Sequence, residues 1–357
     1  MKRLFFLVLT ALCAVIGIYA YKNLPAENDD LIEKKYDTWA GVIRVWAAEE
    51  CDAAGWLNHC AALAEKRLNG VYINVQQAPL AAIADYASTG INPPDVIVYP
   101  GSAPLETSGL MPITRAYPLR PGLEAGVHAV PLLIRPRFWI YDASVHSPLP
   151  GDMYDVRAAC RVEDTNALTA LCTGLRPVEG SSPVLPGVDL GLSDSAAATP
   201  QPAGGAVCRV SPEFILSDAP RSLYSEGDVD AFVGGISDAL LLGNGRNTAA
   251  AVTGEYICGE SAVLSIVSKG DGREAACMEY LDVLMSDGQA ALARAKAFPA
   301  ILSVSAWSGD ILLGPAEAAL EGRVWLQNAS GDSEAARLYI EGKLSADEAI
   351  ERIVGGK

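Results

Sequence analysis

The sequence is short of the residues from which catalytic and metal sites are built. Its 357 residues include only three histidines, His59, His128 and His146, and these are scattered. His59 falls on a helical stretch beside Cys60, His128 opens a strand-like run, and His146 sits in a Pro-containing loop, so no two are placed to share a proton or a metal. There is no CxxC pair and no Cys/His spacing that suits zinc. A GxSxG elbow, a Walker loop and an HExxH helix are also missing. Glu49 and Glu50 supply two neighbouring carboxyls, but a glycosidase holds its pair about 5 to 9 Å apart across a sugar bond, a geometry that adjacent loop positions do not provide. Neither an enzyme nor a bound cofactor is expected.

Basic side chains are scarce as well. Lys and Arg number 27 against 43 Asp and Glu, a formal charge of −16 that becomes more negative once Lys2 and Arg3 are set aside. That surface excludes nucleic acid as a partner, because phosphates demand clustered cations. Charge is absent altogether from the eighteen residues Leu4 to Tyr21, between Lys2-Arg3 and Lys22. This is the pattern of an export element whose positive end stays in the cytoplasm. Ile18-Tyr19-Ala20 suits cleavage, and the length also reaches the lower edge of a membrane span, so residues 1–21 read as signal peptide or membrane anchor. Bulky Leu12 before Cys13 argues against a lipid anchor. Residues 22–37, polar and charged, would form a tether.

Seven cysteines follow the leader: Cys51, Cys60, Cys160, Cys172, Cys208, Cys258 and Cys277. Cys60 and Cys277 fall on apolar helical faces and read as small core residues. Export would allow a Cys160–Cys172 or a Cys51–Cys60 disulfide, with at least one thiol left over.

What is present is an alternation of short apolar runs and helical stretches from about Thr38 to Val130, the signature of βαβ units and a largely parallel sheet. Ile43 to Trp46, Val71 to Val75 and Asp95 to Tyr99 read as strands. The stretch 54–68 reads as a helix burying Trp56, Leu57, Cys60, Leu63, Ala64 and Leu68. Ligands collect at the carboxyl ends of such strands, which places Trp46 to Glu50 and Tyr99 to Ser102 on the binding face. Val229, Phe232, Val233 and Ile236 have helical spacing. Residues 178–207, dense in Gly, Pro, Ser and Ala, read as a flexible insertion. Gly272 to Ala300 reads as two helices and an abrupt extended exit, with Ser286-Asp287 between them, Gln289 opening the second, and Phe298-Pro299 ending it.

The Gly272–Ala300 stretch resembles the segment "FxxFLLSxxGQxxxAxxxxxFPV" of bacterial extracellular solute-binding proteins, the two-lobed receptors of ABC importers. YIEGKLSADEAIERIVGGK at the C-terminus resembles that family's closing "GxxSxEEAxxxI" helix, with Ser345 and Glu348 as a capping box. HAVPLLIRPRFWIYD (128–142) is similar to its "YAVPxxxxxxxLxYN" crossing between lobes, except that Arg135, Pro136 and Arg137 replace small residues and Asp142 stands for Asn. Gly234-Gly235 resembles part of an "AFxxGxxA" helix, and SAVLSIV (261–267) the strand returning to the first lobe.

The resemblance implies an α/β, type II periplasmic-binding-protein-like fold with an interlobe cleft behind the N-terminal hydrophobic segment. Lobe 1 would hold residues 38–130 and 254–302, and lobe 2 residues 131–253 and 303–357. It implies hinge closure around a small ligand, ABC permease subunits as partners, and a monomer on the outer face of the cytoplasmic membrane or in the periplasm. Six Trp and thirteen Tyr favour a carbohydrate, whose apolar ring face stacks on aromatics and whose hydroxyls seek carboxylates and amides. The candidates are Trp46, Tyr99, Trp139, Tyr141, Tyr256 and Trp307 for stacking, with Glu49, Glu50, Ser102 and Asp142 for the polar rim. A peptide or cationic solute is the other ligand class. A cell-surface sensor or interaction module, and more remotely a glycosidase, are the other functions.

Overall fold

In the computed structural model of the chain, residues 39–86, 93–144, 157–161, 164, 166–167, 170, 213–242, 248–252, 256–270, 272–326, 333–340, 343–344, 348–349 and 351–352 are described. The leader, the tether, the expected insertion, Cys13, Cys172, Cys208, His146 and the Ser345 end of the capping box lie outside them. Among the described residues no helix is long and apolar enough to cross a membrane.

Strand β1, Gly41–Ala48, turns Ile43, Val45 and Ala47 inward, the two-residue period of a pleated strand. It pairs in parallel with β2, Val71–Ala78, from Gly41↔Val71 to Ala48↔Ala78, and with β3, Val96–Pro100. Parallel neighbours need a crossover, supplied by α1, Ala54–Arg67, which buries Trp56, Leu57, Cys60, Ala61 and Ala64. A short helix α2, Leu80–Ala84, follows β2.

The next two strands, β4 (Val130–Pro136) and β5 (Phe138–Asp142), are separated by Arg137 alone and belong to different sheets. After β6 (Arg157–Cys160) and β7 (Glu213–Leu216) come α3 (Pro220–Glu226), β8 (Ala231–Gly234), α4 (Ile236–Leu242), β9 (Thr248–Ala251), β10 (Tyr256–Ile257) and β11 (Gly259–Ile266). Then α5 (Arg273–Met285), a 3-10 helix Gln289–Ala295, β12 (Phe298–Pro299), α6 (Leu313–Ala318), β13 (Val324–Trp325) and α7 (Ser333–Ile340) complete the described order. The first sheet runs β12-β4-β11-β3-β1-β2, the second β7-β6-β8-β5-β9, and β10 pairs with β13. One core packs on the first sheet, and two more flank the second.

Several expectations change. The stretch around Val229 to Ile236 is not one helix: Ala231–Gly234 is a buried strand and the helix starts only at Ile236. Positions 229, 232, 233 and 236 fit a helical face, but so short a run fits a buried strand equally well. Gly234 ends the strand and Gly235 alone separates the two elements, its amide donating to Asp238 Oδ2 at 3.1 Å. Cys51, Cys60, Cys160 and Cys277 are free thiols, and these four and Cys258 are buried. Burial pushes the Cys51, Cys60 and Cys160 thiols up to about 12, so they behave as small apolar residues. The second helix of Gly272–Ala300 has 3-10 geometry. Val130–Pro136 lies in the first sheet, although the expected division gave residue 131 onward to the second lobe.

Candidate functional site

Strands β1 and β3 are parallel, so their carboxyl ends share one edge of the first sheet. Strand β11 is antiparallel to β3, with Ala262↔Pro100, and therefore brings its amino-terminal residues to that same edge. There the turn after β3 sits tightly against β11: the Gly101 amide donates to the Ser261 carbonyl at 2.8 Å, and a Cβ on Gly101 would lie 2.3 Å from Ser261 Oγ. Any larger residue there requires the Ser261 hydroxyl to rotate away.

Above this edge lies a cavity of about 300 Å³, lined by Tyr99, Ser102, Ser261 and Glu260 from the first sheet and its turns, Glu124 from the loop before β4, Asn166, and Trp325. Asn166 follows β6 and immediately precedes Ala167, a core residue of the second sheet, so the cavity lies between the two sheets. A larger hollow of about 810 Å³ is bounded by Arg120 and residues 302–321. It touches none of these strand ends, and its buried cation, Arg120, already donates from Nε to the Pro299 carbonyl at 2.8 Å. The smaller cavity is therefore the candidate site.

The expected site residues separate into distinct groups. Tyr99 and Ser102 line the cavity. The Tyr99 hydroxyl lies 3.0 Å from Ser265 Oγ, and burial pushes its phenol pKa up, so it is a fixed neutral wall. Trp46 is half-buried against the first core, Glu49 and Glu50 are exposed on a 3-10 turn after β1, and none of the three lines the cavity. Trp139, Tyr141 and Trp307 are core residues, 2%, 2% and 8% exposed. Trp307 is also anchored by Nε1 donating to the Ala297 carbonyl at 2.9 Å. None of these three lines the cavity. Tyr256 begins β10, with its side chain outside the described set, and Asp142 Oδ1 is occupied by the amide and hydroxyl of Ser144.

The lining residues that sequence reading missed are Glu124, Asn166, Glu260, Ser261 and Trp325. Ser261 was already placed on a strand; only its antiparallel direction brings it to the site. Among the described residues no cluster of His, Cys, Asp or Glu could hold a metal ion.

Electrostatics concentrate at the crossing segment below the cavity. Arg135 Nη2 donates to the Ala295 carbonyl at 2.9 Å, and burial lowers its pKa. Arg137 is buried too, which works to lower its pKa, but Asp164 and Glu260 outweigh the burial and raise it.

The tight Gly101–Ser261 approach gives a direct check on the site. Gly101→Val sets its side chain against Ser261 Oγ, so that hydroxyl must swing away from its place in the cavity wall. Solute affinity is expected to fall at least tenfold by calorimetry, while the unfolding free energy falls by no more than about 2 kcal/mol, the usual cost of overpacking.

No protein-family model matches the sequence, and no curated protein does. Solved structures do. A cyclic alpha-maltosyl-1,6-maltose binding protein from Arthrobacter globiformis superposes with a TM-score of 0.59 at 13% identity, over 89% of this chain and 98% of its own. The maltodextrin binding protein of L. casei BL23 gives 0.61 at 11% identity, over 89% and 99%. The galacto-N-biose-/lacto-N-biose I-binding protein of the ABC transporter from Bifidobacterium longum gives 0.55 at 13% identity, over 90% and 96%. Over most of its length, then, this chain has the mixed α/β, two-sheet fold of solute-binding proteins.

Proposed function

We propose that the chain is an exported solute-binding protein that captures a small carbohydrate by hinge closure and delivers it to an ABC permease. The observation that carries this reading is the cavity between the two sheets, built where the carboxyl ends of β1 and β3 meet the amino end of β11. Its lining has the chemistry a sugar needs. The rings of Trp325 and Tyr99, 3% and 6% exposed, give the cavity an apolar wall; Ser102, Ser261 and Asn166 offer hydroxyls and an amide; Glu124 and Glu260 accept from sugar hydroxyls. The structural neighbours named for maltodextrins and for lacto-N-biose support the same class.

Two sheets joined by short crossings suit hinge closure: a solute touching both walls stabilises the closed form, and roughly 5.5 kcal/mol of preference moves the population from 1:99 to 99:1. We place the lobe boundaries at the crossing residues Arg137 and Cys258. The hydrophobic N-terminus and charged tether would hold the receptor on the outer face of the membrane, beside its permease. A second reading, capture of a cationic solute, is favoured by one observation: both charged residues that line the cavity are carboxylates.

The test is a thermal-shift screen of the full chain in detergent against maltotetraose, lacto-N-biose, other mono- to tetrasaccharides, and spermidine. At one hundred times the dissociation constant the bound state gains about 2.7 kcal/mol, a midpoint rise of roughly 5 °C. A rise with a saccharide supports the first reading and a rise with spermidine alone the second. No rise with any of them, in protein whose circular dichroism is that of a folded chain, removes the receptor reading.

A further inference from the structure

Arg137 is the single residue between β4 and β5, and Cys258 the single residue between β10 and β11. The Arg137 amide donates to the Cys258 carbonyl at 2.8 Å, so these two crossing segments are tied together where the chain passes between sheets. From that point the Arg137 side chain reaches both ways. Nε donates to Asp164 Oδ2 and Nη2 to Glu260 Oε1, each at 2.7 Å. Asp164 follows β6 of the second sheet, and its Oδ1 accepts the Ala167 amide at 3.0 Å, fixing the turn that carries Asn166. Glu260 is part of β11 in the first sheet. Asn166 and Glu260 both line the cavity. One guanidinium thus connects, through two carboxylates, a cavity residue of one half to a cavity residue of the other.

This is not an ordinary surface pair. The side chains of Arg137 and Asp164 are 14% and 20% exposed, where water screens little, while the Glu260 end of the fork is 48% exposed and more open to solvent. Nη1 faces Gly235 closely enough that a Cβ there would sit 3.2 Å away, which leaves the planar head little room to turn. A planar fork held at two corners by carboxylates transmits direction as well as attraction, which a lysine ammonium cannot do.

We infer that Arg137 is a strut between the halves of the molecule, a positioning residue that sets the resting separation of the two cavity walls carrying Glu260 and Asn166. The width of the cavity, and so the size of solute admitted at rest, is then fixed by a residue that the sequence places at the crossing where small side chains would otherwise suit a free hinge.

The experiment measures that separation without any ligand, so its failure is distinct from failure of the receptor reading. Spin labels go on Tyr72→Cys in β2 and Leu241→Cys in α4, both exposed and on opposite halves, in the full chain with Cys13, Cys172 and Cys208 changed to serine. The remaining cysteines are buried. Double electron–electron resonance on the parent should give one narrow distance distribution. Arg137→Met should widen it at least twofold, and Arg137→Lys, able to satisfy one carboxylate at a time, should fall between. Glu260→Gln, which leaves the Arg137–Asp164 bond in place, should also widen it and serves if Arg137→Met does not fold. A distribution unchanged in a folded Arg137→Met, or unchanged in Glu260→Gln where that variant stands in, overturns the strut.

Discussion

Replacing Gln289 by alanine lowers the stability of the chain by about 4 kcal/mol, read from the urea midpoint with an unchanged slope. The side chain is fully buried at the start of the 3-10 helix. Its Nε2 donates to the carbonyls of Leu132 and Leu284 at 3.0 Å each, and its Oε1 accepts the Ala300 amide at 3.1 Å. One amide therefore joins β4, α5 and the segment leaving β12. Removing it strands three buried backbone groups at about 1–3 kcal/mol each and opens a cavity, partly offset by relaxation. A loss below about 1 kcal/mol would mean that water takes over all three bonds. Gln289→Glu refines the argument. The shape is kept and Oε1 still accepts from Ala300, but an ionised carboxylate would face two carbonyls with no donor. The carboxyl pKa is therefore raised in the folded state, and the variant should be more stable at pH 4 than at pH 8, losing stability as pH rises through the folded value.

The glutamine was visible in the sequence as the residue opening a helix after Ser286-Asp287, but its role was not, because its partners lie at positions 132 and 300. That contrast runs through the molecule. The first sheet was legible because each strand and its crossover helix are contiguous: β1, α1, β2 and β3 carry their own periods, two in the strands and near four in the helix. Strand β8 was not legible, since Val229, Phe232, Val233 and Ile236 satisfy a helical period and only the neighbours β5 and β6 decide the matter.

The site follows the same division. Tyr99 and Ser102 could be placed because the carboxyl end of a parallel strand is a local property. Trp139, Tyr141 and Trp307 look alike in sequence whether they stack on a solute or fill a core, and the larger share of aromatics fills cores. Glu260 and Ser261 needed one further fact, that β11 runs against β3. Trp325 and Asn166 needed the arrangement of both halves.

Asp95→Ala is expected to cost about 3–5 kcal/mol, the penalty for removing one partner of a buried ion cluster. The Asp95 side chain is 1% exposed. Oδ2 accepts the Arg44 amide at 2.7 Å, while Oδ1 accepts Lys269 Nζ at 2.5 Å and Arg273 Nη1 at 2.7 Å. Its own amide donates to the Arg44 carbonyl at 2.8 Å, and its carbonyl accepts the Val267 amide at 2.9 Å. The residue thus clamps β1, the end of β11 and the start of α5 at the edge of the first sheet opposite the cavity. Without the carboxylate, the Arg44 amide loses an acceptor, and two cations that are 17% and 21% exposed lose the charge between them, Lys269 keeping its bond to the Pro93 carbonyl and Arg273 its place over the Trp39 ring. The repulsion, more than the lost attraction, sets the size of the effect. Removing all three charges together, in Asp95→Leu with Lys269→Met and Arg273→Met, should therefore recover at least half of the loss, because an apolar cluster of similar volume carries no uncompensated charge. Salt separates this account from a surface one: at 1 M salt an exposed pair would be screened within about 3 Å, whereas the Asp95→Ala penalty should change by less than about 0.5 kcal/mol. A penalty that vanishes in salt, or a triple variant less stable than Asp95→Ala, would place the cluster in water rather than in the sheet.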